Sequence, residues 1–306
     1  MCSRRPRSLS LPSPSSASSR WPSGSSCAAA ASSLERTVSA KASSAPEAAV
    51  QAAAHPDNIT PVGNSTRALR PRAVVRTAGV LYLVNATCGL FSELVRGRLV
   101  DVANPSGTAA RIGDSEALFR IGIAADLVGV ISGVGIAVLL YVLLRPVSRT
   151  LALGASSFLI VQCAILGMNL LHQVDAVMML DPAGAAGSLP TSQRDALVAM
   201  SMDSHVHGYL IALVFGGVHL AILGYLVARA SYFPTWLGVL MIVAGAGYLT
   251  DSSWHLLVPA YDGAASSAIL APTVMAEIAT TVWLLGKGVD DRRFWAAENH
   301  RDQVAP

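Results

Sequence analysis

Between Arg76 and Lys287 the sequence returns again and again to long apolar runs, separated by short joins rich in arginine and proline. An apolar run of about 20 residues is what an α-helix needs to cross the hydrocarbon core of a bilayer. Lipid offers no partners to backbone N–H and C=O groups, so a helix, which satisfies them internally, is the physical choice. The runs fall at roughly 76–95, 118–143, 151–174, 205–228, 235–257 and 266–287, and Pro105, Pro146, Pro182, Pro190, Pro234 and Pro259 lie in the joins. The expected fold class is therefore all-α: a six-helix transmembrane bundle in a lipid bilayer. Composition agrees, with 52% hydrophobic and only 13% charged residues, against about 25% charged in an ordinary soluble domain. The net charge of +3 gives no reason to expect a nucleic-acid partner. Cys2, Cys27, Cys88 and Cys163 are divided between a polar segment and apolar runs, which is no disulfide framework.

Residues 1–72 differ from the rest. They are rich in Ser, Ala, Pro and Arg, and Glu35 is their first acidic residue. So few large apolar side chains cannot offset the entropy of ordering, so a disordered tail is expected here. Its composition suits an organelle transit peptide, and equally an over-long reading of the gene. The transmembrane domain is expected over 73–289, with 290–306 as a short tail. Positive charge orients such bundles. With the N-terminus inside, ten arginines and lysines near the spans face the cytoplasm and five face outward. Both termini are therefore expected on the cytoplasmic side of a bacterial cytoplasmic membrane.

Placed by depth, the ionisable residues are unevenly spread. Asp126, Asn169, His172, Asp175, His205, His207, Asp251 and His255 fall in the outer half of the spans, while His219 and Glu277 lie deeper. Asp251 and His255, four residues apart, share a helix face. His205 shares a face with Gly208, Ala212, Gly216 and His219, and Asp126 with Gly122, Gly129 and Gly133; small residues at such spacings let helices approach closely in lipid. These polar groups are thus expected to point inward, as intramembrane acids and histidines usually do. His207 follows His205 by two residues, about 200° round a helix, and the two diverge unless the helix starts between them.

The expectation is a His/Asp-lined polar cavity in the outer half of the bundle, made of these eight residues with Glu277. In the plainest case the groups hydrogen-bond between helices or line a wet vestibule. A metal-dependent membrane hydrolase would hold zinc with His172, His205 or His207, and His255, together with Asp126, Asp175 or Asp251, and the acids could also orient the imidazoles. A proton-coupled transporter or relay, acting on an unknown small molecule, would use Asp126, Asp251 and Glu277 as titrating carboxylates. Haem ranks last, because His219 has no evident midplane partner for axial ligation. No nucleophile elbow or P-loop occurs, and no residue is marked as catalytic.

The successive blocks "RTAGVLYLVNATCGLFSELVRGRLV", "LFRIGIAADLVGV", "HVHGYLIALVFGGVHLAILGYLV" and "FPTWLGVLMIVAGAGYLTDS" resemble, in order, a bacterial multi-pass membrane family catalogued as domain of unknown function 4386. The resemblance runs from Arg76 to about Val289. It implies a six-helix integral membrane protein and carries no activity or site.

Overall fold

The computed structural model describes residues 71–258 and 263–304, and each apolar run falls on a helix. Residues 1–70, which carry the expectation of a disordered tail, lie outside the described residues. The helices are α1 (Pro71–Leu99), α2 (Pro105–Asp114), α3 (Glu116–Leu144), α4 (Arg149–Leu180), α5 (Thr191–Arg229), α6 (Thr235–Leu257), α7 (Gly263–Gly286) and α8 (Asp291–Val304), with a 3-10 turn at Ala185–Ser188. No strand occurs among the described residues.

The boundaries have local causes. The Asn104 side chain accepts from Gly107 N–H at 3.0 Å and Pro105 opens α2, the pairing of a side-chain cap with a proline that needs no donor. Ser148 caps α4 by accepting from Leu151 N–H. Pro190 and Pro234 stand immediately before α5 and α6. After α7 the chain turns through Gly288 at φ 66°, and its N–H reaches Trp283 C=O at 3.0 Å. That left-handed closure favours glycine.

Five helices are long and apolar enough to cross a membrane: α1, α3, α4, α5, and α7 over Ala268–Gly286. α6 stands outside this group because its second half dilutes the apolar run with Tyr248, Thr250, Asp251, Ser252 and Ser253. α5 has 39 residues, or about 58 Å, nearly twice the hydrocarbon thickness. It begins 14 positions before His205 rather than at it.

The helices form a ring in the order α1, α3, α4, α5, α6, α7, and α7 packs back on α1. Between α1 and α3, Asn85 Nδ2 donates to Gly129 C=O and Ser92 Oγ to Gly122 C=O, both at 2.8 Å. Between α4 and α5, Ser201 Oγ donates to His172 C=O at 2.9 Å, and His219 Nδ1 lies 2.8 Å from Ala155 C=O. A carbonyl only accepts, so His219 carries its proton on Nδ1 and acts as an interhelical donor. The α5–α6 seam is a glycine contact: a Cβ on Gly224 would stand 2.5 Å from Gly238 C=O, and one on Gly245 would stand 2.7 Å from Gly217 C=O. The ring closes where Leu284 and Leu285 of α7 rest on Gly79 of α1, about 3 Å from where its Cβ would be. Leu83, Leu94, Ile131, Ile160, Val239 and Ile278 are exposed on the outside, as lipid-facing residues are.

Two apolar cores fill the bundle at different heights. The larger, including Val75, Leu143, Leu226 and Leu237, lies at the end where α3 turns into α4 and α5 into α6. α8 joins it through Phe294, which meets the Tyr232 ring edge-on, so the expected tail beyond Val289 is a docked helix. The smaller core, including Val95, Ile112, Phe119, Val177, Val198 and Met202, lies beneath α2 at the opposite end.

Candidate functional site

A polar network crosses four helices just below the α2-side core. Asp126 of α3 accepts from Arg96 of α1 and, at 2.9 Å, from Gln173 Nε2 of α4. Arg96 also binds the exposed Glu93 at 2.9 Å. The Arg96 and Asp126 side chains are 13% and 15% accessible. Arg96 sits near the end of α1 and bends back to reach Asp126, keeping its charge inside the bundle. Gln173 Nε2 lies 3.5 Å from His205 Nε2 on α5.

His205 is buried, and its other side meets Asn169. Asn169 Nδ2 donates to His205 C=O at 2.9 Å, and His205 Nδ1 lies 3.3 Å from Asn169 C=O and 3.1 Å from Asn169 Nδ2. With the proton on Nδ1, histidine and asparagine each donate to the other's carbonyl. His205 Nε2 is then an unprotonated acceptor facing the Gln173 amide. Gly208 of α5 makes room for the Asn169 amide, and Gly216 for that of Gln162. The expected small-residue stripe of α5 is the seat of two α4 amides.

The other expected residues sit elsewhere. His207 is exposed, its Nδ1 2.9 Å from Asp203 C=O. His172 and Asp175 are half-buried on α4, flanking Gln173. Asp251 is 1% exposed, with His255 Nδ1 3.6 Å from its Oδ2, so the i, i+4 contact forms. Among the described residues, no group of three or more His, Cys, Asp or Glu comes together as a metal set. Cys88 and Cys163 are free thiols.

A second polar group lies deeper. Glu277 of α7 accepts from the Tyr248 hydroxyl of α6 at 2.9 Å. Tyr82 of α1 and Tyr209 of α5 lie within electrostatic reach of the same carboxylate. Tyr209 also feels the charges of Glu93, Arg96 and Asp126. It is one helical turn past His205. The lipid-exposed Tyr225 and Ile211 lie about 160° and 200° round α5 from it. Tyr209 therefore points into the ring, yet 40% of it is accessible.

Arg96, Gln173 and the three tyrosines carry the geometry, and the sequence reading passes over them. Arg96 enters there only as a topology charge. For Gln173 a signal exists: Asn169, Gln173, Ala176 and Val177 repeat at the spacing of one helix face, and all are buried.

The family model described as "Domain of unknown function (DUF4386)" matches residues 77–288, well over half of the chain. The chain belongs to the DUF4386 family. The DUF4386 match holds α2 to α7 and most of α1, and ends at the left-handed Gly288, so both polar groups lie inside it and α8 outside. An uncharacterized protein of Archaeoglobus fulgidus is 32% identical over 124 residues, covering 40% of this DUF4386 chain. The chain spans 59% of that relative's length. No solved structure matches.

Proposed function

We propose that this DUF4386 protein is a proton-linked transporter of a small solute. One observation carries the reading. Arg96, Asp126, Gln173 and His205 are joined across four helices on the α2 side, and Tyr248 donates to Glu277 between two more, so two groups of protonatable side chains lie within the ring. Ionisable groups inside a membrane domain are costly to keep and mark ion or proton paths by default. Asp126 and His205, joined through Gln173, form one station. Glu277 with Tyr248 forms the other, and the buried Asp251 lies one turn along α6 from Tyr248. The reading takes Asp126, Asn169, His205, Asp251 and Glu277 as the groups that face the solute path.

The reading takes α6 as a sixth span and both termini as cytoplasmic. In support, α6 fills the ring between α5 and α7, and ten of fifteen positive residues near the spans fall on the side of the termini. Zinc hydrolysis has no comparable support, because a metal needs several converging ligands.

The test is a flux measurement. The full chain is reconstituted in vesicles holding a pH-sensitive dye, and proton movement is followed on an imposed gradient with candidate solutes. Asp126→Asn and Glu277→Gln should each abolish solute-dependent proton movement. Unchanged flux in both variants would overturn the reading.

A further inference from the structure

We propose that α8 is a detachable strap that holds the ring closed at the end opposite α2. The inference adds a conformational device to the transport reading, and the closure itself does not rest on transport.

α8 lies across the ring end and touches three parts of it. Asp291 pairs with Arg72 of α1 at 3.1 Å. Arg293 donates to Ser231 C=O at 3.2 Å, and Phe294 meets Tyr232 with ring centroids 5.5 Å apart. Both partners sit in the turn between α5 and α6. Glu298 pairs at 3.3 Å with Arg145, where α3 passes into the turn toward α4. Asp291, Phe294 and Glu298 stand at i, i+3 and i+7, so one face of a single helix carries all three anchors. They span only about 10 Å of helix. Tyr232 itself donates to Leu143 C=O, so the strap clamps two hairpin turns that already touch and ties α1 to them. The seam it leaves between Val74, Val142 and Trp295 is a cleft of about 10 Å³, room for about one water.

The hold is light enough to release. Among the side chains described in α8, Phe294 and Glu298 alone are buried, and most of the anchors are polar. The Arg72 and Asp291 side chains are 71% and 38% accessible, and an exposed pair of this kind is weak and screened by salt. An element with few buried apolar contacts opens at lower cost than the body it rests on. Val289 is buried in the core at this end, which keeps the near end of α8 in place while the far end, at Glu298, lifts. Release of Arg145 and Tyr232 frees both hairpin turns to move away from α1. A solute entering past α2 leaves here, so the strap sets how often the exit opens.

The experiment measures distances across this end in the full chain in lipid nanodiscs. The native cysteines are replaced by alanine, spin labels are attached at Thr77→Cys and Thr235→Cys, both exposed positions, and double electron–electron resonance records the distance distribution. The closed ring gives one narrow distance, with an open form at about 0.1–10% of molecules. Glu298→Arg sets like charges together at Arg145, and Phe294→Ala removes the apolar anchor; each should raise a longer-distance population roughly fivefold or more. Asn299→Ala, on the exposed face of α8, should leave the distribution unchanged. In the labelled chain without these changes, raising potassium chloride from about 0.1 to 1 M, which shortens the screening length from about 10 to 3 Å, should raise the same population. An unshifted distribution in both altered chains, no response to salt, or an equal shift in Asn299→Ala would each overturn the inference. Opening without solute-linked proton flux would sink the transport reading and leave the strap standing. Flux with unshifted distances would sink the strap and leave transport standing.

Discussion

The Arg96–Asp126 pair lends itself to a double-mutant cycle, whose size follows from its burial. Both side chains are largely shielded, at 13% and 15% accessible. At a charge separation of about 4 Å and an effective dielectric of about 20, the attraction is about 4 kcal/mol. Desolvation takes back much of this, whereas an exposed pair is worth only about 0–1 kcal/mol. A coupling energy of about 2 kcal/mol is expected. The single variants should differ. Asp126→Asn leaves Arg96 with Glu93, and the new amide still accepts a hydrogen bond. Arg96→Met leaves Asp126 with Gln173 alone and no cation beside it among the described residues, the situation that costs about 3–5 kcal/mol. Reversible unfolding in mixed micelles, followed by tryptophan fluorescence, gives all four corners of the cycle. The reasoning fails if Arg96→Met costs no more than Asp126→Asn, or if the coupling is below about 0.5 kcal/mol, the error of such cycles.

Gly224→Ala should lower the unfolding midpoint by the equivalent of about 1–3 kcal/mol, because its Cβ meets the backbone Gly238 C=O and Ile242 N–H as well as the Ile242 side chain. Gly89→Ala, with nothing within 4 Å, is the control and should be neutral or slightly stabilising; equal losses would refute the seam. Tyr232, in the turn between α5 and α6, donates to Leu143 C=O at 2.6 Å, and burial, with the Glu298 charge, pushes its ionisation above the ordinary 10.0. The folded state holds that proton more tightly, so its contribution is complete below about pH 10 and declines from there as pH rises toward the higher folded-state value. Thermal unfolding from about pH 9 to pH 11 should show a steeper fall in the unaltered protein than in Tyr232→Phe, and parallel curves would refute the assignment.

The apolar runs made the helices legible because run length and lipid chemistry leave little choice. The inward faces were legible where small residues marked them: Gly208 and Gly216 on α5, Gly122 and Gly129 on α3. The partners across those faces were not. Arg96 is a long side chain at a helix end, and nothing in its neighbours says that it folds back toward Asp126 rather than out to water. The divergence of His205 and His207 was legible for a helix that runs through both, and α5 begins at Thr191, so it turns one inward and the other outward. Tyr82 of α1 and Glu277 of α7 are 195 positions apart, and no local spacing relates residues on helices that become neighbours only through ring closure.

The seam between α1 and α7 has a consequence for how the protein is made. α1 leaves the ribosome first, and its ring partner follows about 200 residues later, a delay of roughly 10–40 s at ordinary rates of synthesis. α3 arrives early and takes up Asn85 and Ser92, but the flank of α1 that carries Gly79 and Tyr82 has only lipid or an insertion factor beside it until the last span emerges. A chain cut short before α7 would keep that flank open and would leave the glycine face of Gly247 uncovered as well. Surveillance proteases that recognise unassembled helices should therefore discriminate sharply at this one point in translation: products ending before Leu284 removed, and products ending just after Gly288 retained.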